Sequence, residues 1–463
     1  SMLLIGSQRS GKSMTSKDLI WKTVDLGHRG FVMDPEQEYL KLAVALHAPY
    51  IEIATGRERA RVRIGGAEES GPAAGFADLQ RQYGALTDTA LAPEQQQVLA
   101  DAYDRALEAH GIALESIETW THEPPLLTDV LAPLRDSPHR ALREVARVLS
   151  YSDPGANTGF FNPMDLQRRH DHAVRYSAEA LVSFTESIAR AELSAGEFNT
   201  LVKAYRDTLA LAGVREDAPE TWHPEHMPVL SQLVDRLYSQ KESDEAFHLA
   251  SILEQFAYDG LYAGMFNQRT TIDLSREQAA FFGMRSLRQS TDDKLAAIVT
   301  RLQLTGIQNE VFAGAGSRQP THVVVDEARF LFAYPGAGRR FVGMSQSFPK
   351  YMAALYLIFH TAESFLANPE SAMIKDMTRF KMIFRQESQF ATRALAELFE
   401  LTPAEQAIIR GAAKGEAMLL ADNHLRIPIY NAVNLDREGV LRADSEMQAA
   451  LSVALGRQQA AVV

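Results

Sequence analysis

Hydrophobic positions open the chain as one unbroken run. Met2, Leu3, Leu4 and Ile5 are apolar without alternation, the pattern of a strand buried on both faces. Residues 6–11 break that pattern as a loop, residues 12–26 have helical character, and 30–33 form a second apolar run ending at Asp34-Pro35. Strand, glycine-bearing loop, helix and strand in that order predict the opening of a parallel α/β sheet. From about residue 67 to 277 the pattern is mostly helical. Sheet character then returns: 279–284 reads as a strand and 292–304 as a helix. Val323-Val324-Val325 is an apolar strand ending in Asp326-Glu327, and 355–359, 380–384 and 417–420 are later strands. The last twenty or so residues, rich in Ala and Gln, read as a peripheral helix or a loose tail.

The helical region contains an internal repeat. Leu91, Leu99, Ala102, Tyr103, Leu107, Gly111, Glu118, Thr119 and Trp120 recur in one gapless register as Leu193, Leu201, Ala204, Tyr205, Leu209, Gly213, Glu220, Thr221 and Trp222. After one inserted residue, Pro125, Leu127 and Leu134 recur as Pro228, Leu230 and Leu237. Each copy, over 91–137 and 193–239, reads as a helix stopped by its glycine, a turn carrying Trp, and a helix started by Pro. Two copies are too few for a solenoid, so the reading is a duplicated helical unit inside one inserted subdomain.

Composition narrows the class. A chain of 463 residues suggests two or three domains, and 46% hydrophobic with 23% charged residues is a globular profile. Cysteine is absent, which excludes disulfides and thiolate chemistry. The net charge of −12 gives a field that does not attract nucleic acid, so a DNA contact needs a local basic patch. Arg57, Arg59, Arg61 and Arg63 alternate, which on a strand puts them on one face; a solvated strand edge is the reading. No signal peptide pattern is present, and the longest apolar run, 351–359, is far short of the roughly 20 residues that span a bilayer. Ser1 before Met2 reads as a cloning scar, from which a larger protein cut just ahead of this domain is expected.

Gly6-Ser7-Gln8-Arg9-Ser10-Gly11-Lys12-Ser13 satisfies G-x-x-x-x-G-K-[ST] in full. Glycines let the backbone curl so that its N–H groups face phosphates, Lys12 reaches the β/γ-phosphates, and the Ser13 hydroxyl ligates Mg²⁺. With Met14 at the first helical turn, Gly6 to Met14 is the expected binding stretch for ATP. The strand 323–325 delivers two acids to the carboxyl edge of the sheet: Asp326 to hold the Mg²⁺ shell, and Glu327 to polarise the attacking water as a general base. Asp34, Glu36 and Glu38, after the second strand, either tune metal or water or form an ordinary acidic turn.

These motifs together resemble the ATPases of type IV secretion and conjugation systems, the TraC-like family of the FtsK–HerA superfamily of RecA-like motors. The resemblance rests on the P-loop, the D-P-E-x-E-Y turn at Asp34 to Tyr39, and the late D-E-A at Asp326 to Ala328. It extends to Asn162-Pro163-Met164-Asp165-Leu166, Leu193-Ser194 with Glu197 and Tyr205, Gly264-Met265-Phe266-Asn267, and Gly415-Glu416 with Arg426-Ile427-Pro428. Departures exist. Residues 65–159 look like an expansion, Arg329 stands where the family has Trp, and the Thr-Gln sensor position falls on His360-Thr361-Ala362, leaving no glutamine there; Gln346 and Glu363 are the nearest polar alternatives. Phe380 to Gln386 resembles the strand that follows, and the resemblance offers Arg385 and Arg426 as trans-acting arginines.

The resemblance implies a RecA-like P-loop NTPase of α/β class, with a parallel central sheet and a large inserted all-α domain. The expected layout is 1–66 and 278–440 as the two parts of the ATPase domain, 67–277 as the insert and 441–463 as a tail. It implies Mg-dependent ATP hydrolysis, slow in isolation, that energises secretion or conjugative transfer. It places the protein in the cytoplasm, peripheral to the inner membrane, with other type IV secretion subunits and copies of itself as partners; hexamer and isolated monomer are both open. The alternatives are a DNA translocase or helicase of the same superfamily, or a nucleotide-gated assembly subunit that does not hydrolyse.

Overall fold

The computed structural model describes residues 1–7, 9–52, 71–113, 115–152, 159–166, 173–284, 293–313, 319–330, 332, 337–367, 371–422, 425–432 and 437–441. The strands in chain order are β1 (Met2–Ile5), β2 (Arg29–Asp34), β3 (Tyr50–Glu52), β4 (Ala279–Gly283), β5 (Thr321–Val325), β6 (Ala353–Phe359), β7 (Phe380–Phe384), β8 (Glu416–Ala421) and β9 (Leu425–Tyr430). The chain divides into two compact units, residues 1–37 with 159–432 and residues 38–158 with 433–463. The three-residue strand β3 lies in the second unit, too short for an apolar pattern to announce it. Arg57, Arg59, Arg61 and Arg63 lie outside the described residues.

Within the first unit the strand order is β4-β2-β5-β6-β1-β7-β8-β9. Pairing is parallel from β4 through β7 and antiparallel for β8 and β9. The unbroken apolar runs are explained by position. Every residue of β2 and β4 is buried, as are Leu3, Leu4, Ile5 and Val323 to Val325, because helices cover both faces of a parallel sheet. The register pairs Ile5 with Phe359 and Ile383, and Val325 with Met33 and Leu357. Residues just beyond these strands therefore meet along one edge. The helix expected over 292–304 continues to Ala313 as Asp293–Ala313.

Four helices of the second unit, Gly71–Thr87, Pro93–Ala109, Leu127–Arg135 and Arg140–Ser150, have counterparts in the first: Ala173–Ala189, Ala195–Leu211, Leu230–Tyr238 and Asp244–Glu254. The first pair ends at an offset of 102 residues (87 and 189), and the starts of the other helices are offset by 102 (93 and 195), 103 (127 and 230) and 104 (140 and 244). Local geometry repeats too. Gly111 and Gly213 have φ of 70° and 76° after their helices, and Asp88 and Arg190 have 58° and 57°. Ile112 N–H donates to Leu107 O and Val214 N–H to Leu209 O, each at 2.9 Å, closing the helix ends. The Trp120 indole donates to Ala113 O at 3.1 Å, and that of Trp222 to Arg215 O at 2.6 Å.

The third helix of each set is not started by proline. It begins at Leu127 or Leu230, two residues beyond Pro125 or Pro228. The reason lies in the cap: Leu126 N–H donates to Asp129 Oδ2 at 3.0 Å and Val229 N–H to Gln232 Oε1 at 2.9 Å. That bond needs an amide hydrogen just before the helix, which proline lacks.

Candidate functional site

Reading along the carboxyl edge of the sheet, β2 ends at Asp34, β5 is followed by Asp326, β6 by His360, β1 by the Gly6–Gly11 loop, and β7 by Arg385. The glycine loop and the acid pair are thus separated by a single strand. The loop is gripped from both sides. Ser7 N–H and Ser7 Oγ–H both donate to Arg385 O, each at 2.9 Å, and Gly415 N–H donates to Ser10 O at 3.0 Å. A Cβ on Gly6 would meet Phe384 Cβ at 2.6 Å, and one on Gly11, whose φ is 104°, would meet Gly415 N at 2.6 Å. Only glycine lets the backbone pass at either point. Arg9 also has positive φ, at 60°. Gln8 lies outside the described residues.

Gly11 caps the helix Lys12–Asp25 without a side-chain bond. The first N–H groups of that helix have no partner within it, and its dipole adds partial positive charge, the properties of an anion site. Lys12 is 3% exposed and donates from Nζ to Gly6 O at 2.8 Å and Ser7 O at 2.7 Å, so its ammonium group is folded over the loop. Ser13 and Met14 follow on the first turn, half-buried.

Asp326 is buried, and its N–H donates to Met33 O at 3.1 Å, continuing the ladder of β2 and β5. Its Oδ1 accepts from Glu327 N–H at 3.0 Å and lies 2.7 Å from His360 Nε2. Its Oδ2 is buried and, among the described residues, without a hydrogen-bond partner. An orphaned, buried carboxylate oxygen costs free energy unless something is to be held there. That oxygen and the serine hydroxyl at the helix start are hard oxygen donors, the chemistry Mg²⁺ takes, and the curled loop suits phosphate. The residues fit both groups. Glu327 has φ of 47°, uncommon for a residue with a side chain. Its Oε2 accepts from Arg329 Nε at 3.1 Å, and its Oε1 lies 3.7 Å from His360 Nδ1.

His360 and Arg329 are site residues to which the sequence reading gave no role. Burial works against charge on the His360 ring, but Asp326 and, less strongly, Glu327 outweigh it; despite opposition from Lys12, its pKa is pushed up to about 9. Ala362, beside it, is buried at the start of the helix Ala362–Leu366, which Thr361 caps by accepting from Ser364 N–H at 3.0 Å. Gln346 and Glu363 are exposed.

The two arginines part company. Arg385 is exposed and its carbonyl holds the P-loop. Arg426, on β9, donates to Glu400 O at 3.2 Å and Phe399 O at 3.0 Å and pairs with Glu405 at 3.2 Å. Those bonds tie β9 to the end of the helix Gln389–Phe399, where Glu400 sits in the left-handed region. Asp34 is fully buried beside this edge. Among the described residues, no helix is long and apolar enough to cross a membrane.

No protein-family model matches the chain, and no curated protein matches it. Solved structures do. VirB4 of Thermoanaerobacter pseudethanolicus aligns over 95% of this chain and 91% of its own, with a TM-score of 0.64 and 17% identity. The plasmid coupling protein TrwB in complex with ADP and Mg²⁺ aligns over 94% and 85%, with a TM-score of 0.40 and 9% identity. The chain has the fold of that VirB4: a RecA-like α/β fold with a mainly parallel central sheet and a large helical insertion.

Proposed function

We propose that this chain is the ATP-hydrolysing motor subunit of a type IV secretion or conjugative transfer system. One observation carries the reading: the glycine loop at Gly6–Ser13 and the Asp326–Glu327 pair stand one strand apart on the same sheet edge, in a fold shared with a VirB4 protein. Magnesium, when bound, supplies a Lewis acid that neutralises phosphate charge. The chain supplies the rest. The loop amides and the helix start bind phosphate oxygens, and Lys12 exchanges its carbonyl partners for the β/γ-phosphates. Ser13 and Asp326 hold the metal and its shell. Glu327 takes a proton from the attacking water. Arg385, exposed beside the loop, is the better candidate of the two arginines for a neighbouring subunit's site, since Arg426 is spent on Glu405 and two carbonyls. The working assembly is then an oligomer at the cytoplasmic side of the inner membrane.

The nucleotide-gated, non-hydrolysing alternative draws on a different observation. The Glu327 carboxylate is held by Arg329 on one side and faced by His360 on the other, which restrains a base. Turnover and binding of ADP and ATP, measured across a hundredfold range of protein concentration, separate the two. The motor reading expects slow turnover that rises per subunit with concentration. Glu327→Gln should bind nucleotide normally and lose about a hundredfold or more in turnover, and Lys12→Ala should lose binding. Tight binding with no turnover at any concentration selects the gated subunit; turnover that survives Glu327→Gln removes the base assignment.

A further inference from the structure

His360 stands where the sheet leaves one place between the phosphate loop and the acids, because β6 runs between β1 and β5. Its backbone is anchored on both sides. Phe359 before it is buried in β6, and Thr361 after it caps a helix whose Ala362 and Phe365 are buried. What can move is the imidazole. That ring lies 2.7 Å from Asp326 Oδ1 and 3.7 Å from Glu327 Oε1, so one side chain spans both acids. Asp326 Oδ1 already accepts the Glu327 amide, and the carboxylate is walled in.

We propose that His360 is a positioning residue that latches the Asp326–Glu327 pair in the metal-free protein and competes with the divalent cation for Asp326. It extends the nucleotide-site reading and does not depend on hydrolysis. The physical reason is a shared carboxylate. Asp326 has one oxygen committed to the ring and to Glu327 N–H, and the other is buried. A cation on Oδ2 withdraws electron density from the carboxylate and weakens the contact at Oδ1, and an imidazole on Oδ1 weakens the cation's grip in turn. Two ligands that weaken each other's hold on one group are coupled reciprocally. Released from Asp326, the ring still lies between the acids and the loop, where it can turn toward the phosphate end of a bound nucleotide. That gives the chain an element that reads occupancy at the sheet position where no glutamine is found.

The test reads magnesium, not turnover. A fluorescent ADP is bound to the full chain, and the Mg²⁺ concentration that gives half of the magnesium-dependent tightening is measured for wild type, His360→Ala and His360→Gln. ADP binding in EDTA is the control. Removing a hydrogen bond that opposes the metal should lower the midpoint up to about tenfold in His360→Ala, with the EDTA affinity unchanged. His360→Gln keeps an N–H donor and should fall between wild type and alanine. A side chain that merely fills space would weaken both affinities together. An unchanged or raised midpoint in His360→Ala, with normal EDTA affinity, overturns the latch. If His360→Ala does not fold, an unlowered midpoint in His360→Gln overturns it instead. Wild type that binds no ADP at all overturns the nucleotide-site reading and the latch with it, which is a different result from bound ADP with an unmoved midpoint.

Discussion

Gly11→Ala is the sharpest test of the loop geometry. Two costs act at this residue. Its φ of 104° is a conformation that side chains rarely adopt, worth about 1–3 kcal/mol. Its new Cβ would sit 2.6 Å from Gly415 N and 2.9 Å from Gly415 Cα, both backbone atoms that cannot rotate away. Restoring ordinary contact means moving the β8 entry by most of an ångström and stretching the Gly415–Ser10 hydrogen bond. Overpacking of this kind costs about 1–3 kcal/mol more. The sum, about 2–6 kcal/mol, falls on the loop proposed to hold phosphate, so ADP affinity should drop about thirtyfold or more. Gly27→Ala is the control. Gly27 has φ of 78° at the far end of the same helix, and a Cβ there meets nothing within 4 Å. It carries only the conformational cost, about 1–2 kcal/mol, and should leave ADP binding unchanged. Because the chain has two compact units, a single unfolding midpoint is a poor readout. Hydrogen exchange of peptides covering 1–26 and 411–432 resolves the effect locally. Gly11→Ala should deprotect both peptides and Gly27→Ala only the first. Equal exchange and equal ADP binding in the two variants would refute the close approach of loop and hairpin.

Two further outcomes follow from the hydrogen bonds. Trp222→Phe should destabilise by about 1–2 kcal/mol, because it orphans a carbonyl beside a buried ring, and Trp120→Phe by less, because Trp120 is only half-buried and its bond longer. Hydrogen exchange of peptides covering 107–122 and 209–224 checks the order, and a larger loss of protection for Trp120→Phe contradicts it. His322, on β5, contacts His28 at 3.0 Å and Tyr356 Oη at 2.7 Å; burial, then His28, pushes its pKa down to about 4, so the unfolded chain binds the proton first. Stability should therefore fall as pH drops from about 6.5 towards 4, by at most about 3 kcal/mol and less where water reaches the ring, and His322→Gln should flatten that limb in denaturation measured across the range.

The strands that carry the glycine loop and the acids were readable because a parallel strand buried on both faces must be apolar throughout, and Met2 to Ile5 and Val323 to Val325 have that character. The residues of the glycine loop were readable for a related reason: Gly6 and Gly11 stand where any side chain collides with backbone or with Phe384. His360 was not readable as a partner of Asp326. The two are 34 residues apart, and they meet only because β6 takes the place between β5 and β1. Strand order is a property of the assembled sheet that no local pattern contains. Arg329 escaped for a different reason, since an arginine two residues after an acid is read as surface charge until the left-handed turn at Glu327 folds it back. The own-chain partners of Arg426 were not readable either: the resemblance offered it as a trans-acting arginine, and only the folded hairpin brings it to the carbonyls of Phe399 and Glu400.

The repeated helices separate what a sequence must keep from what it can change. Glycine recurs at 111 and 213 because φ near 70° at a helix end suits no other residue as well. Tryptophan recurs at 120 and 222 because an indole must reach back seven residues to a carbonyl. Threonine recurs at 119 and 221 because its hydroxyl serves two backbone groups at once: it accepts from Ala113 N–H or Arg215 N–H, at 2.9 and 3.0 Å, and donates to Ser116 O or Ala218 O, each at 2.7 Å. The caps obey a looser rule. Ala92 N–H is held by Gln95 and Ser194 N–H by Glu197, while Leu126 N–H is held by Asp129 and Val229 N–H by Gln232. The identities differ, yet each cap places a side-chain oxygen three residues into the helix, which is all the orphan amide requires. Identity matching therefore found the turns at 102-residue spacing and missed the first and last helix pairs. Those pairs repeat through buried apolar faces, as Val145, Ala146 and Leu149 do with Leu249, Ala250 and Leu253, and any apolar residue of similar volume can serve there.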